Sequence, residues 1–336
     1  MNNTIKTGVL SFGMSGSLFH CPFLEVHSGF DLFAIVERTK KKAHLTYPNV
    51  ISYNSVEELL KDTNIELVVV NTPSATHFDL ALKAIQANKH VLVEKPFTVN
   101  FLEAKTLFKE AKKRNVFVMP FQNRRFDSDF LSVKHVVESK KLGDLIEVHF
   151  RYDRYSYKIN TNASKENPVP GNGVMYNLGS HLLDAAIALF GMPLEWKNVK
   201  LGLRPNTQID DYALVHLKYP KGLQVFITAN LLVADAQPSF VLHGVKGSYV
   251  KERTDVQEDQ LKAGIKPDNQ IFGIEKANKE GLLTTIENNI KKQEKIASKK
   301  SSYLNIFEAV YQTVRNHKPF VVTESDIIKQ VEILES

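Results

Sequence analysis

Two residues in this sequence are placed where they could exchange a proton with a substrate. Lys95 follows an apolar run and stands between Glu94 and Pro96. A partly desolvated lysine can exchange a proton with a hydroxyl or, as a cation, stabilise an alkoxide. His181 belongs to the residue type that titrates near neutral pH. Each also has a simpler interpretation, as a surface lysine or as a structural histidine.

His181 is one of three polar residues that recur at helical spacing. Asn177, His181 and Asp184 fall at i, i+4 and i+7, so a helix over Asn177–Phe190 presents them on one face. An apolar stripe lies beside them and consists of Leu178, Leu182, Ala185 and Leu189. Polar groups next to a buried stripe favour a site on this helix.

A glycine-containing turn directly follows the first apolar run. Its residues are Ser11, Phe12, Gly13, Met14, Ser15 and Gly16. They occupy the place of a Gly-x-Gly-x-x-Gly fingerprint, whose exposed amides hold the diphosphate of a dinucleotide. The first glycine is replaced by Ser11, whereas Gly13 and Gly16 are retained. We therefore predict that these six residues bind a nicotinamide dinucleotide.

The residues after the second apolar run bear on which dinucleotide is bound. Glu37 stands where a carboxylate would accept a hydrogen bond from the ribose 2′-hydroxyl of NAD. Arg38, Thr39 and Lys40 follow it and suit the 2′-phosphate of NADP, because a guanidinium grips phosphate oxygens bidentately. We favour NADP(H), while NAD(H) and a merely solvated loop stay open.

Further residues at the ends of apolar runs are predicted to lie in the same crevice. In an open parallel sheet, ligands bind beyond the carboxyl ends of the strands. Thr72, Pro73 and His77 follow the fourth run, and Glu94 with Lys95 follows the fifth. We count all five among the cofactor contacts, although His77 could equally cap or pack locally.

The first part of the chain, residues 1–121, alternates apolar runs with amphipathic stretches, which predicts a Rossmann domain with a doubly wound parallel sheet. The predicted strands are Thr7–Leu10, Leu32–Val36, Leu67–Val70, His90–Val93 and Val116–Met119. The predicted helices are Ser55–Lys61, Thr76–Ala87 and Asn100–Arg114. Ser55 and Glu58 have the spacing of a capping box.

The second part, residues 122–336, predicts an α+β domain with a large, mostly antiparallel open sheet, so the chain is α/β overall. The predicted strands are Ile146–Arg151, Glu195–Leu203, Tyr212–Tyr219, Leu223–Leu231, Phe240–Leu242 and Ser248–Val250. The predicted helices are Asp127–Ser139, Asn177–Phe190, Leu304–Asn316 and Glu324–Ile333. The polar segment Asp255–Ser302 predicts loops and short helices.

Composition excludes several classes of protein. No run approaches the roughly 18 apolar residues of a membrane span, and Met1–Lys6 is polar, so we expect a cytoplasmic protein without a membrane partner. The single cysteine, Cys21, excludes an intramolecular disulfide and a cysteine metal cage, and we predict no metal site. The net charge of +6 is spread out, so no nucleic-acid partner is expected.

Five segments, in this order, resemble motifs of the Gfo/Idh/MocA oxidoreductases, a family named for glucose-fructose oxidoreductase, inositol dehydrogenase and a rhizopine-catabolism protein. The segments are Ser11–Phe23, Asn71–His77, Val93–Phe97, Asn123–Phe130 and Asn177–Asp184. The Asn123-Arg124-Arg125 element and the stretch His243–Glu258 look most like the branch that contains NADP-dependent scyllo-inositol dehydrogenases. The resemblance covers nearly the whole chain.

This resemblance implies hydride transfer between nicotinamide C4 and a hydroxyl-bearing carbon of a sugar or cyclitol. It implies that Lys95 and His181 handle the hydroxyl proton, with Asn177 in the third catalytic position. It adds Asn123 and Arg124 to the cofactor contacts. It also implies a homo-oligomer, a dimer or tetramer, formed through the open sheet. The residues that could bond polyol hydroxyls are Arg124, Asp153, Arg154, Tyr155 and His181, although the first four could equally form salt bridges at the domain boundary.

Two positions depart from the family pattern. Ser11 replaces the first glycine, and Asn177 replaces an aspartate. An amide can orient a hydroxyl but cannot accept a proton, so we expect slower turnover or a shifted pH optimum. The same departures leave an alternative function open, that of a cofactor-binding sensor or scaffold without turnover.

Overall fold

The computed structural model describes residues 4–160 and 163–336. Its strands are β1 (Ile5–Val9), β2 (Phe30–Val36), β3 (Ile51–Tyr53), β4 (Leu67–Val70), β5 (His90–Val93), β6 (Val118–Pro120), β7 (Leu145–Asp153), β8 (Glu195–Leu201), β9 (Tyr212–Lys218), β10 (Gln224–Asn230), β11 (Phe240–Gly244), β12 (Gly247–Lys251), β13 (Gly281–Glu287) and β14 (Ile290–Ile296). Its α-helices are α1 (Cys21–Val26), α2 (Val56–Lys61), α3 (His77–Gln86), α4 (Phe101–Lys113), α5 (Ser128–Ser139), α6 (Ala163–Glu166), α7 (Ser180–Phe190), α8 (Val256–Lys262), α9 (Leu304–Asn316) and α10 (Glu324–Glu335). Two turns, Gly16–His20 and Met175–Gly179, are π-helical.

The chain divides into two compact units. The first comprises Met1–Asn123, Glu258–Phe272 and Ser302–Val331, and the second comprises Arg124–Gln257, Gly273–Ser301 and Glu332–Ser336. The division predicted from the sequence was 1–121 and 122–336. The structure differs because α9 and most of α8 and α10 belong to the first unit. The reason is packing, because Phe307 of α9 stacks on Phe23 of α1 with ring centroids 5.6 Å apart.

The first unit contains the predicted parallel sheet. Its strand order is β3-β2-β1-β4-β5-β6, and every adjacent pair is parallel. The four side chains of β4 are fully buried, and burial of each stabilises the fold by about 1.5–3 kcal/mol. The short strand β3, which the sequence analysis did not predict, extends the sheet beyond β2. This order places the carboxyl ends of β1 and β4 side by side, where such sheets bind ligands.

Local signals explain where the helices of this unit begin. The Ser55 hydroxyl accepts a hydrogen bond from the Glu58 amide at 3.2 Å, and Glu58 in turn accepts one from the Asn54 amide. The Asn100 side chain caps α4 in the same way, through the amide of Glu103. Such caps satisfy amides that have no partner inside the helix. The two predicted helices therefore begin within one residue of their observed starts.

The second unit contains an eight-stranded sheet of order β14-β13-β12-β11-β7-β10-β9-β8, in which only the β7 and β10 pair is parallel. Alternate residues of β9 face the core, as predicted, and these are Ala213, Val215 and Leu217. Helix α7 belongs to the same core through Leu182 and Leu183. The α/β class and the mostly antiparallel second sheet are thus confirmed.

Two predictions about this unit were wrong. The segment Asp255–Ser302 contains the antiparallel hairpin β13–β14 in addition to α8, and β14 is exposed over most of its length. An exposed edge strand lacks the apolar alternation that identifies a strand in a sequence. The predicted helix Asn177–Phe190 is also not uniform, because a π-helical turn, Met175–Gly179, precedes α7. The helix ends at Phe190 before Gly191, as predicted.

Candidate functional site

The glycine-containing turn lies directly after β1. The Ser11 hydroxyl accepts a hydrogen bond from the Gly13 amide at 3.3 Å, so serine forms the turn with its own side chain. A Cβ atom at Gly16 would lie 2.0 Å from the Ser11 carbonyl oxygen, so a side chain at that position would force the turn to shift. A Cβ at Gly13 would meet only the Ser11 hydroxyl, at 3.5 Å. The space above Gly13 is therefore open, which fits the close approach of a diphosphate.

Asn71 supports this turn, although the sequence analysis did not single out its side chain. Its amide group donates a hydrogen bond to the Ser11 carbonyl at 2.8 Å and lies close to Gly16. Asn71 follows β4, next to β1 in the sheet, so its position at the start of Asn-Thr-Pro was the signal that could have identified it. The neighbouring Phe12 ring packs edge-on against Tyr47, while Met14 is 63% exposed.

The Glu37 carboxylate is not oriented to accept a hydrogen bond from a bound ribose. Its carboxylate accepts hydrogen bonds from the amides of Lys42 and Ala43, at 2.7 and 3.1 Å, and from the Ser52 hydroxyl at 3.1 Å. The residue is 5% exposed. Its oxygens therefore organise the loop that follows β2. The residues predicted to meet a 2′-phosphate, Arg38, Thr39 and Lys40, are exposed on that loop.

Glu94 connects the turn to Lys95. Its Oε1 accepts a hydrogen bond from the Ser15 hydroxyl at 2.6 Å, and its Oε2 accepts one from the Lys95 amide at 3.0 Å. The Nε2 atom of His20 lies 2.9 Å from Oε1. Burial raises the pKa of Glu94, but the bonds from His20 and Ser15 and the charge of Lys95 outweigh it and lower the pKa to about 2.

His77 is not placed to bind a cofactor through its ring nitrogens. Nδ1 lies 2.7 Å from the Pro96 carbonyl oxygen, and Nε2 lies 2.8 Å from the Thr72 carbonyl oxygen. The residue is buried, and this burial lowers its pKa, although the two carbonyls oppose the change. His77 thus joins the segment after β4 to the segment after β5. This is the local structural role that the sequence analysis left open. Pro73 is exposed at the same end of the sheet.

In the second unit, the three polar residues predicted on one helix face have different surroundings. His181 and Asp184 lie on α7 and are buried, with exposed fractions of 8% and 4%. Asn177 lies in the preceding π-helical turn and is exposed. A π-helical turn has more residues per turn than an α-helix, so the predicted spacing does not hold across Gly179.

A cavity of about 20 Å³ adjoins His181 and has room for about one water molecule. Its polar lining consists of Arg124, Arg125, Asp127, Asp129, His181, Asp184 and Arg253. Arg125 binds Asp184 through two nitrogens, at 2.7 and 2.9 Å. Arg124 lies 3.0 Å from a carboxylate oxygen of Asp127 and 3.0 Å from one of Asp255. Three ion pairs therefore lie near the side of α7 that carries His181.

Asp127 and Asp129 are buried carboxyl groups of this cluster whose pKa values are raised by burial. Asp127 adjoins Arg124. Burial raises its pKa well above the usual range of an aspartate. Arg124 opposes this shift, whereas the nearby Asp129 and Asp255 add to it. Asp184 was predicted only as a member of the polar helix face, without a role of its own. Asp127 was not predicted as a site residue, and the Arg-Arg-Phe-Asp segment was the signal for it.

Most of the predicted substrate residues bind protein neighbours in this structure. The Asp153 carboxylate accepts a hydrogen bond from Arg151 at 2.9 Å. Arg154 donates to the Tyr152 hydroxyl at 2.9 Å and lies over the Tyr152 ring. Arg124 has the ion pairs described above, and Tyr155 is 63% exposed. Asn123, predicted to contact the cofactor, is buried in a 3₁₀ turn.

Two kinds of feature are not found within residues 4–160 and 163–336. No helix in these ranges is both long and apolar enough to cross a membrane. Within the same ranges, no group of three or more His, Cys, Asp or Glu side chains could hold a metal ion.

Comparison with known proteins identifies the family. Residues 5–122 match the model of the Gfo/Idh/MocA oxidoreductase family, NAD-binding Rossmann fold, and residues 130–250 match the C-terminal domain model of the same family. The chain belongs to the Gfo/Idh/MocA oxidoreductases. Its first unit therefore contains an NAD(P)-binding Rossmann fold, and the resemblance noted from the motifs is confirmed.

Individual relatives cover nearly the whole chain. The scyllo-inositol 2-dehydrogenase (NADP(+)) IolW of Bacillus subtilis is 34% identical over 99% of this chain and 93% of its own length. An uncharacterized oxidoreductase of Schizosaccharomyces pombe is 35% identical over 99% of this chain and 96% of its own length. A crystal structure of an oxidoreductase from Bacillus cereus has a TM-score of 0.91 at 34% identity, covering 99% of this chain and 96% of that one.

Proposed function

We propose that this protein is an NADP-dependent dehydrogenase or reductase that acts on a hydroxyl-bearing carbon of a sugar or cyclitol. The family supports the oxidoreductase chemistry, and the IolW relative is named as an NADP-dependent inositol dehydrogenase. When bound, the nicotinamide would accept or deliver a hydride. The chain itself must hold the dinucleotide and exchange the hydroxyl proton.

The orientation of Glu37 supports the preference for NADP over NAD. A carboxylate facing the ribose would repel a 2′-phosphate, but this carboxylate is bonded to the amides of Lys42 and Ala43 and to Ser52. The exposed Arg38 can then pair with the 2′-phosphate, with Thr39 and Lys40 beside it. Gly13 and Gly16 leave the backbone amides of the turn accessible to the diphosphate.

The proposed proton exchange involves Lys95 and His181. Lys95 is the second residue after the carboxyl end of β5, the end of the strand where ligands of such sheets bind. His181 belongs to the residue type best suited to exchange a proton near neutral pH. Asn177 stands at the third position and can orient a hydroxyl without taking its proton.

The substrate and the assembly are part of the same proposal. A sugar or inositol-like polyol is supported by the name of the IolW relative. Association into a dimer or tetramer through the open face of the second sheet is supported by its partly exposed aromatic side chains. Phe226 of β10 stacks there between His149 and His216. Light scattering of the purified protein measures the oligomeric state, and a monomer would contradict this part.

The decisive experiment measures cofactor binding and turnover together. The purified protein is titrated with NADP and NAD, and a panel of inositols and sugars is then screened by the absorbance of reduced nicotinamide. We expect tighter binding of NADP and turnover of at least one polyol. Binding of NADP without turnover on the whole panel would favour the sensor or scaffold instead, which the asparagine at position 177 makes a specific alternative.

A matched pair of variants tests the 2′-phosphate contact. Arg38→Ala should weaken NADP binding by about 10- to 100-fold, since a hydrogen bond to a charged group contributes about 1.5–3 kcal/mol. Its effect on NAD should be small, because NAD lacks the phosphate. Lys109→Ala removes one exposed positive charge from α4 and is the control. Equal weakening of NADP by both variants, or of both dinucleotides by Arg38→Ala, would show that Arg38 does not select the cofactor.

A further inference from the structure

His20 is a buried histidine to which the proposed function assigns no role. Its side chain is 0% exposed, and its ring lies 4.4 Å from that of Phe121, measured between centroids. The Phe307 ring packs against it at 6.1 Å. A polar ring enclosed by aromatic side chains is costly unless its nitrogens have partners. Its polar contact is with Glu94, whose Oε1 atom lies 2.9 Å from Nε2.

Glu94 in turn contacts the two parts of the first unit that the proposed function uses. Through Oε1 it accepts a hydrogen bond from Ser15, inside the glycine-containing turn. Through Oε2 it accepts a hydrogen bond from the amide of Lys95. The Glu94 side chain is 13% exposed, so these bonds are protected from competition by water.

His77 on α3 interacts with the charge of Glu94, and the charged and titratable groups that lower the pKa of Glu94 include His20 and Lys95. Their attraction for the carboxylate is stronger than the cost of burial, which keeps Glu94 ionised across the neutral range. The interaction between Glu94 and Lys95 is reciprocal. A permanent negative charge beside Lys95 therefore favours the ammonium form of that side chain.

We propose that Glu94 is the positioning residue for Lys95, held in place by His20 and Ser15, and that it sets the charge state in which Lys95 works. The proposal rests on the proposed function, in which Lys95 exchanges the substrate proton. Glu94 acts through its neighbours and does not itself need to touch the substrate. The Ser15 bond adds a link between the cofactor turn and Lys95, so the two are aligned by one carboxylate.

The first test reads the charge state of Lys95 without any turnover. Acetic anhydride labels uncharged lysines, and peptide mass spectrometry reports the labelling of Lys95 as a function of pH. In Glu94→Gln the midpoint for Lys95 should move to lower pH by at least about half a unit, because the neighbouring negative charge is gone. The midpoint for the exposed Lys109 in the same digest should not move. An unchanged Lys95 midpoint would overturn the proposal.

His20 variants separate positioning from a purely structural role and also serve if Glu94→Gln fails to fold. His20→Gln keeps an N–H group near the position of Nε2, and the Lys95 midpoint should stay near that of the wild type. His20→Leu removes the donor and should move the midpoint in the same direction as Glu94→Gln. If both variants shift it equally, or neither does, His20 does not hold Glu94.

The second test uses kinetics and a matched pair of serines. Ser15→Ala should lower kcat about tenfold with little change in KM for NADP, since a lost bond to a charged group is in this range and the backbone amides remain. Ser17 is in the same helical turn and bonds the Met14 carbonyl, so Ser17→Ala is the control and should leave kcat unchanged. Equal losses of kcat in both variants, or a change in KM alone, would contradict the proposed link between Ser15 and Lys95 through Glu94.

The two proposals fail in different ways. A wild-type protein that binds NADP but turns over no polyol contradicts the proposed function, while the labelling of Lys95 still decides the role of Glu94. An active wild type with an unmoved Lys95 midpoint in Glu94→Gln contradicts only the positioning role.

Discussion

The glycine-containing turn of the first unit is held mainly by backbone and neutral groups, whereas the surroundings of His181 in the second unit are held by ion pairs. In the turn, Ser11 bonds Gly13 and Asn71 bonds the Ser11 carbonyl. Around His181, Arg125 binds Asp184. The Arg125 side chain is 11% exposed and the Asp184 side chain is 5% exposed, so this ion pair is largely buried. A neutral hydrogen bond contributes about 0.5–1.5 kcal/mol, while breaking a buried ion pair costs about 3–5 kcal/mol.

This difference explains which sequence departures the two regions tolerate. The turn accepts serine in place of the first glycine because the serine hydroxyl itself bonds the turn. An ion-paired cluster has less freedom, since loss of one partner leaves the other charge buried. The steric limit of the turn lies at Gly16 instead.

The largest effect is expected from breaking the ion pair beside His181. Arg125→Met should lower the free energy of unfolding by about 3–5 kcal/mol, because Asp184 keeps a buried charge without its partner. Urea denaturation measures the loss. The double variant Arg125→Met with Asp184→Leu is the control and should recover much of it. A single variant that loses less than about 1 kcal/mol would show that the two regions do not differ as described.

A smaller loss is expected from a side chain at Gly16. Gly16→Ala should cost about 1–3 kcal/mol, since its Cβ would overlap the Ser11 carbonyl oxygen, and the shifted turn should no longer bind NADP. Gly13→Ala is the matched variant. We expect it to keep its stability within about 0.5 kcal/mol, because its Cβ meets no close atom. Equal stability of the two alanine variants would contradict the geometry of the turn.

The ionised Glu94 should make the free energy of unfolding depend on pH in the acid range. Its folded pKa, about 2, is below the ordinary value of 4.5, so the unfolded chain binds the proton more readily. The stabilisation is therefore complete above about pH 4.5 and is lost as the pH falls towards 2. Glu94→Gln should flatten the unfolding free energy over this window, whereas Asp79→Asn, at an exposed site, should not. If the free energy of unfolding of Glu94→Gln changes with pH as steeply as that of the wild type, Glu94 is not ionised in the way described.

The smallest effect concerns Asn177. Asn177→Asp restores a group that can take a proton, and we expect faster turnover or a shifted pH optimum with little change in stability, because the residue is exposed. Steady-state kinetics across pH on the same polyol panel measures it. No gain with any polyol would show that the asparagine does not limit turnover.

The sequence was informative where one residue or one periodicity determines the outcome. Strands β4 and β5 were predicted at their observed bounds because buried parallel strands are continuously apolar. The turn was located from its glycines. The edge hairpin β13–β14 was missed because exposed strands carry no such pattern, and the π-helical turn before α7 leaves no signal in residue types.

Side-chain partners were the least predictable feature. The three bonds of Glu37 involve residues five to fifteen positions away, and those of His77 join two separate segments. Spacing in a sequence does not specify such contacts, because they depend on how loops close. For this reason the sequence alone leaves two roles open for Glu37 and predicts His77 as a cofactor contact.

Titration of the purified protein with NADP and NAD tests the central claim most directly, namely that backbone amides of the glycine-containing turn hold a dinucleotide while Glu37 faces away from its ribose. Intrinsic fluorescence or calorimetry gives both dissociation constants. We predict that NADP binds at least about tenfold more tightly than NAD. Failure of both dinucleotides to bind, or tighter binding of NAD, would contradict the account.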